Sequence, residues 1–114
     1  MPPSLLLDLS EIDLNNVTYG IEEIEAINPQ RGHMRQLDGI IYASEGYTEA
    51  VGYKDVRDDE FWVEGHIPGR PLYPGVLMCE AAAQLAAWMM KVRRDDDVFI
   101  GFAGLLPLLL TLLW

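Results

Sequence analysis

His66 and Glu80 stand fourteen positions apart in the one stretch whose residue types point to chemistry. It reads Gly65-His66-Ile67-Pro68-Gly69-Arg70-Pro71-Leu72-Tyr73-Pro74-Gly75-Val76-Leu77-Met78-Cys79-Glu80-Ala81-Ala82-Ala83-Gln84. An imidazole and a carboxyl at fixed separation on stiff backbone make a general acid–base pair. Prolines at 68, 71 and 74 fix φ through the loop, which suits a base that must be aimed. The bland alternative, a core or capping histidine, fits a lone His better than one in this context. Glu80 lies among alanines on a helical pattern. A carboxyl buried there must be protonated or hydrogen-bonded, and a buried carboxyl holds its proton to higher pH, as a proton donor must. Gln84, four residues on, shares its helix face and can orient it. An exposed Glu favoured by the positive helix end is the competing reading.

Gly75 and Val76 open that helix, so their backbone N–H groups lack intrahelical partners. A carbonyl oxygen placed there would be polarised by both amides and by the helix dipole, and Gly75 lets a ligand approach the backbone closely. The set reads as a reaction: a carbonyl held at Gly75 and Val76, a proton moved by His66, a hydroxyl assisted by Glu80. That is proton abstraction next to a carbonyl with loss of water from the β-carbon, each acid–base role contributing roughly 10²–10⁴ in rate. Cys79 has no base beside it and reads as packing. His33 reads as structural or surface. No metal-ligand spacing is recognisable.

The elements that must position these groups follow from periodicity. Gly75–Val92 predicts a helix, apolar on most sides and therefore wrapped by other structure. Isoleucines at 21, 24 and 27 predict a short helix over Gly20–Ile27, ended by Asn28-Pro29. Leu37–Ala43 and Thr48–Asp55 read as a hairpin turned at Ser44-Glu45-Gly46, with alternation burying one face of the second strand. Phe61-Trp62-Val63 should seat the His66 loop on the core. Residues 1–17 read as an irregular arm without the basic region of a signal peptide, and Asp95-Asp96-Asp97 as a solvated turn. The run Val98–Trp114 has no charged residue in seventeen positions but carries Gly101, Gly104 and Pro107. It is short of the ~20 apolar residues of a spanning helix and reads as buried strand pieces or an unfolded sticky end.

With 114 residues the chain suggests one domain, burying roughly 65% of its unfolded surface. That is enough for a core but not for a core and a deep private pocket, so a substrate cavity belongs more naturally at a subunit interface. A net charge of −10 argues against nucleic acid and against an anionic membrane surface. The single cysteine excludes an internal disulfide and a cysteine-cluster metal site, and suits a reducing, cytoplasmic setting.

The motif resembles the β-hydroxyacyl-ACP dehydratases of type II fatty-acid synthesis, through Gly65-His66-Ile67-Pro68-Gly69-Arg70-Pro71, Pro74-Gly75-Val76-Leu77 and Glu80-Ala81-Ala82-Ala83-Gln84. Weaker similarity runs from about Ile21 through Arg31-Gly32-His33 and Leu37-Asp38-Gly39 to Gly104. The resemblance implies an α+β hotdog fold, a central helix wrapped by antiparallel sheet. It implies dimers in which His66 of one subunit faces Glu80 of the other, and trimers of such dimers. It implies dehydration of 3-hydroxyacyl thioesters to trans-2-enoyl thioesters without a cofactor. His66 would be the base, Glu80 the acid, Gly75 or Val76 the amide that holds the thioester carbonyl, and Gln84 the support of Glu80. Related dehydratase-isomerases carry Asp at the Glu80 position, so Glu80 favours the simple dehydratase. Acyl carrier protein or CoA would carry the substrate. Arg31, Arg35 and Arg70 are the patch expected to meet an acidic carrier.

Two departures stand out. Ile67 replaces the family's usual Phe. After Gly104 the family's further strands give way to an apolar tail, which predicts a partial hotdog domain over 1–104, a divergent tail over 105–114, and a truncated or frame-shifted product. The competing functions are an inactive fragment or non-catalytic hotdog subunit, and an acyl-CoA thioesterase using Glu80 to direct water.

Overall fold

The computed structural model describes residues 4–96, so Asp97 and the whole run Val98–Trp114, with its tail over 105–114, lie outside the described residues. In chain order come α1 (Ile21–Glu25), a 3₁₀ turn (Gly32–Met34), β1 (Gly39–Ala43), β2 (Ala50–Tyr53) and the long α2 (Gly75–Lys91). The layout is the expected α+β one, a long helix against antiparallel strands.

Each element has a local cause. In α1 the Glu23 carboxylate accepts the Gly20 N–H at 2.9 Å, and Glu22 and Glu23 complement the positive end of the helix. The helix is only five residues long, shorter than the isoleucine stripe, because the Ile27 and Asn28 amides both close onto Ile24. β1 and β2 pair antiparallel with a bulge between Ile40 and Tyr42. The strands are shorter than expected and the turn longer. The Ser44 hydroxyl accepts the Thr48 and Glu49 amides at 3.1 and 3.0 Å, which takes them out of the ladder. Tyr47, not Gly46, adopts the left-handed conformation (φ 54°), and its ring lies edge-on to Trp88 at 5.7 Å.

Just beyond the arm over 1–17, Tyr19 exchanges two backbone hydrogen bonds with Ile40, each of 2.9 Å. The expected burial alternation in β2 is not observed, since all four of its residues are half-buried. Gly52 is needed at the sheet–helix contact: a Cβ there would meet Leu37 Cδ1 at 2.7 Å and Leu85 Cδ2 at 3.3 Å.

Ile24, Leu37, Ile40 and Trp88 form the core. Trp88 is fully buried and is also tilted onto Tyr19 at 4.8 Å. Each such apolar side chain contributes roughly 1.5–3 kcal/mol on burial. The sheet covers one side of α2 and does not wrap it. Only Ala83, Gln84 and Trp88 of the helix are buried, whereas Val76 is 76% and Met78 51% exposed. Over the described residues two strands meet one side of α2, an open part of the expected layout of a helix wrapped by antiparallel sheet. Among the described residues no helix is long and apolar enough to cross a membrane.

A buried ion cluster fastens the chain ahead of the His66 loop. The Lys54 ammonium lies 2.6 Å from Glu60 Oε1 and 3.4 Å from Asp38 Oδ2. Asp38 Oδ2 also accepts the Asp55 N–H at 2.8 Å. Burial pushes the Glu60 carboxyl up, but Lys54 and the Arg57 N–H outweigh it and hold the carboxyl below its ordinary 4.5. A lowered carboxyl stabilises the fold above its unfolded value, and that contribution is lost as pH falls through the folded value. Unfolding free energy should therefore drop as pH is lowered below about 4.5. Lys54→Met should be destabilised at neutral pH and show a flatter dependence over that window. Urea titrations at both pH values check this, and parallel pH dependences in parent and variant contradict it.

Candidate active site

Gln84 is the residue around which the site is built. It is 2% exposed, and its side-chain amide is fully bonded. Oε1 accepts the backbone N–H of Gln36 at 2.9 Å and of Leu37 at 3.2 Å. Nε2 donates to the Met34 carbonyl at 2.7 Å and to Glu80 Oε1 at 2.9 Å. Two backbone donors on one side and a backbone carbonyl on the other permit a single amide orientation. The group presented to Glu80 is therefore a donor. Glu80 Oε1 is engaged as an acceptor, and among the described residues Oε2 has no hydrogen-bond partner. Glu80 is half-buried, and Val76, Glu80 and Gln84 follow one another at four-residue spacing along one stripe of α2.

His66 is half-buried in the preceding loop. Its Nδ1 lies 2.6 Å from the Leu72 carbonyl oxygen. A carbonyl can only accept, so Nδ1 carries the hydrogen and Nε2 carries the lone pair. The loop holds this aim through short-range bonds. The Gly65 and His66 amides donate to the Trp62 carbonyl at 3.3 and 2.8 Å, and the Arg70 amide to the Ile67 carbonyl at 3.0 Å. Trp62 is buried with its ring 5.6 Å from Tyr73, as expected of a seat for the loop, although neighbouring Phe61 is exposed. Ile67, directly after the histidine, has φ 60°. A β-branched residue there is strained, of the order of 1–3 kcal/mol, and is held by its surroundings.

At the start of α2 the Leu77 and Met78 amides close onto the Pro74 carbonyl at 3.0 and 3.1 Å. Among the described residues the Gly75 and Val76 amides have no hydrogen-bond acceptor. A Cβ at Gly75 would meet nothing within 4 Å, so the backbone at Gly75 can be approached on that side.

The structure thus groups Gly75, Val76, Glu80 and Gln84 on α2 and fixes His66 in its loop. Among the described residues no hydrogen bond links His66 to Glu80 within one chain. Cys79 is a half-buried free thiol. His33 is exposed, its ring 5.7 Å from Phe61. The expected arginine patch is reduced. Arg31 donates to the carbonyls of Asn28, Gln30 and Glu25, and Arg35 pairs with Glu25 and Asp38. Arg70 is exposed on the loop itself.

Sequence reasoning missed Gln36 and Tyr73. Gln36 is 2% exposed. The Tyr73 hydroxyl is pushed up to about 12, first by burial and then by the charges of Glu60, Asp38 and Glu80. The available signals were a lone amide beside a strand and an aromatic residue set among prolines.

Gln84→Leu should strand the buried Gln36 and Leu37 amides as well as release Glu80. At about 1–3 kcal/mol for each orphaned group, unfolding free energy should fall by roughly 2–6 kcal/mol. Urea denaturation measures it, and a loss under about 0.5 kcal/mol, the level of an ordinary surface substitution, contradicts the hub.

A family described as the FabA-like domain matches residues 28–100. The chain is 40% identical over 85 residues to 3-hydroxyacyl-[acyl-carrier-protein] dehydratase FabZ of Pseudothermotoga lettingae, covering 75% of this chain and 59% of that protein. It is 45% identical over 84 residues to the protein of the same name from Clostridium botulinum strain Hall, covering 74% and 58%. The FabZ of Herpetosiphon aurantiacus is 40% identical over 87 residues, covering 75% and 60%. The chain therefore spans a little under two thirds of the length of these relatives. With the motif over 65–84, the Gln84-anchored carboxyl and the helix-on-sheet layout all inside or overlapping the matched region, the chain belongs to the FabA-like domain family and carries its hotdog architecture.

Proposed function

We propose that this chain dehydrates 3-hydroxyacyl thioesters, presented on acyl carrier protein, to trans-2-enoyl thioesters in fatty-acid biosynthesis. The observation that carries the reading is the complementary state of the two acid–base groups. His66 has Nδ1 committed to Leu72 and Nε2 free, and Glu80 has Oε1 committed to Gln84 and Oε2 free. Each group thus keeps one atom free through which a proton can move, a ring nitrogen on His66 and a carboxyl oxygen on Glu80. The relatives' shared name, 3-hydroxyacyl-[acyl-carrier-protein] dehydratase, supports the substrate class.

The thioester carbonyl oxygen sits against the Gly75 and Val76 amides, which strengthen their hold as negative charge grows on it. His66 Nε2 removes the proton from C2. Glu80 Oε2 protonates the hydroxyl on C3, the C3–O bond breaks, water leaves, and the C2–C3 double bond forms. His66 is then an imidazolium and Glu80 a carboxylate, and exchange of one proton resets both. No cofactor enters this sequence, since neither oxidation nor an electron sink is required.

The pair operates between two copies of the chain, with His66 of one facing Glu80 of its partner, in homodimers that assemble further as trimers of dimers. Two observations support this: the absence of a His66–Glu80 hydrogen bond among the described residues of one chain, and the exposure of the apolar side chains of Val76 and Met78 near the start of α2. The lone free thiol of Cys79 suits the cytoplasm.

The test is hydration of a short enoyl thioester, the reverse reaction, followed by loss of enoyl absorbance. The parent chain should turn over, and His66→Ala should be slower by at least about 10²-fold. Equal rates in the two proteins would remove the enzymatic reading.

A further inference from the structure

We infer that Gln36 and Tyr73 are a positioning pair that joins the holder of His66 to the holder of Glu80. The inference rests on the dehydration reading for its kinetic consequences, but its geometry is independent of it.

The two residues complete a chain of hydrogen bonds. The Tyr73 hydroxyl donates to Gln36 Oε1 at 2.8 Å, with the Leu77 carbonyl a longer second acceptor at 3.1 Å. Gln36 Nε2 donates to the His33 carbonyl at 2.7 Å, which leaves Oε1 as the atom that faces Tyr73. The Gln36 amide N–H donates to Gln84 Oε1 at 2.9 Å, and Gln84 Nε2 donates to Glu80 Oε1 at 2.9 Å. At the other end, Tyr73 directly follows Leu72, the residue whose carbonyl fixes the His66 ring. Anchoring the Tyr73 ring fixes the peptide that holds the base, and anchoring Gln36 fixes the amide that holds the acid.

The energetics favour a real constraint. Gln36 is buried and bonded through both side-chain atoms, and an orphaned Oε1 there would cost free energy. Tyr73 cannot turn away without abandoning both that acceptor and its contact with Trp62. Its hydroxyl also stays protonated at all ordinary pH values, since it is pushed up to about 12, so the donor is permanent. Neither residue reaches a reacting atom in the sequence proposed above; both act through Leu72 and Gln84.

The experiment compares Tyr73→Phe, Gln36→Leu and the double variant in the full chain. Each single variant should lower kcat about 10-fold with KM changed less than about 2-fold, the pattern of lost transition-state alignment. The double variant should be no slower than either single one, because the two substitutions remove the ends of one bond. Multiplying effects, an effect on KM alone, or no loss of kcat would overturn the inference. Amide hydrogen exchange is read in every variant irrespective of turnover. Exchange at the Gln36 and Leu37 amides should rise about 10-fold, while the Val92 amide, bonded to Trp88 at 2.9 Å, is unchanged. Unaltered exchange at Gln36 and Leu37 overturns the inference. A parent chain without turnover counts against the dehydration reading, and the exchange result then decides the positioning pair by itself.

Discussion

The side-chain amide of Gln84 is the constraint on which the rest depends. It is buried, and a buried amide with unpaired atoms is costly, so its four partners must be supplied together. Met34, Gln36 and Leu37 are therefore drawn onto one turn of α2. That places β1, which begins two residues after Leu37, against the helix, and it fixes the orientation of Glu80. A second bond from the same residue, its backbone carbonyl accepting Asn28 Nδ2 at 2.9 Å, brings in the end of α1. Fold and site share one residue, and the carboxyl's aim follows from satisfying the backbone of another segment.

The histidine is held by a different device. Its loop contains no regular structure, and three prolines, the Trp62 carbonyl and the Leu72 carbonyl replace a helix or strand as its frame. The strained backbone of Ile67 beside it shows how closely the surroundings determine this segment. Ahead of the loop in sequence, Lys54 pairs with Glu60 and, together with Arg35, with Asp38, where the Lys54, Glu60 and Asp38 side chains are largely buried. Polar groups that would otherwise weaken a small core are thereby turned into its fastenings.

The helix-on-sheet layout was legible in the sequence, and so were the places of three candidate site residues on loop and helix. His66, Glu80 and Gln84 could be singled out because a base in a proline loop and an amide four residues after a carboxyl are local patterns, and local spacing survives folding. α2 was legible for the same reason, from Gly75 to within one residue of its end. The hairpin was legible in kind but not in detail, because the Ser44 hydroxyl competes with the ladder for two amides and periodicity does not register that competition. Composition reports how apolar α2 is but not which of its residues the described strands cover, and among those only Ala83, Gln84 and Trp88 are buried. Gln36 and Tyr73 were missed because their meaning is a pairing across thirty-seven residues. Arg31 and Arg35 looked like a surface patch and are spent on Glu25, Asp38 and backbone carbonyls.

The proposal that His66 and Glu80, held separately on one chain, meet across two copies is the central claim. Mixing His66→Ala with Glu80→Ala subunits tests it most directly. Each variant alone has no intact pair. In a two-fold dimer assembled at random, half the dimers are mixed and one of their two sites regains both groups, so about a quarter of parental turnover should return. A mixture no more active than either variant alone, with subunit exchange verified, would contradict a site shared between chains.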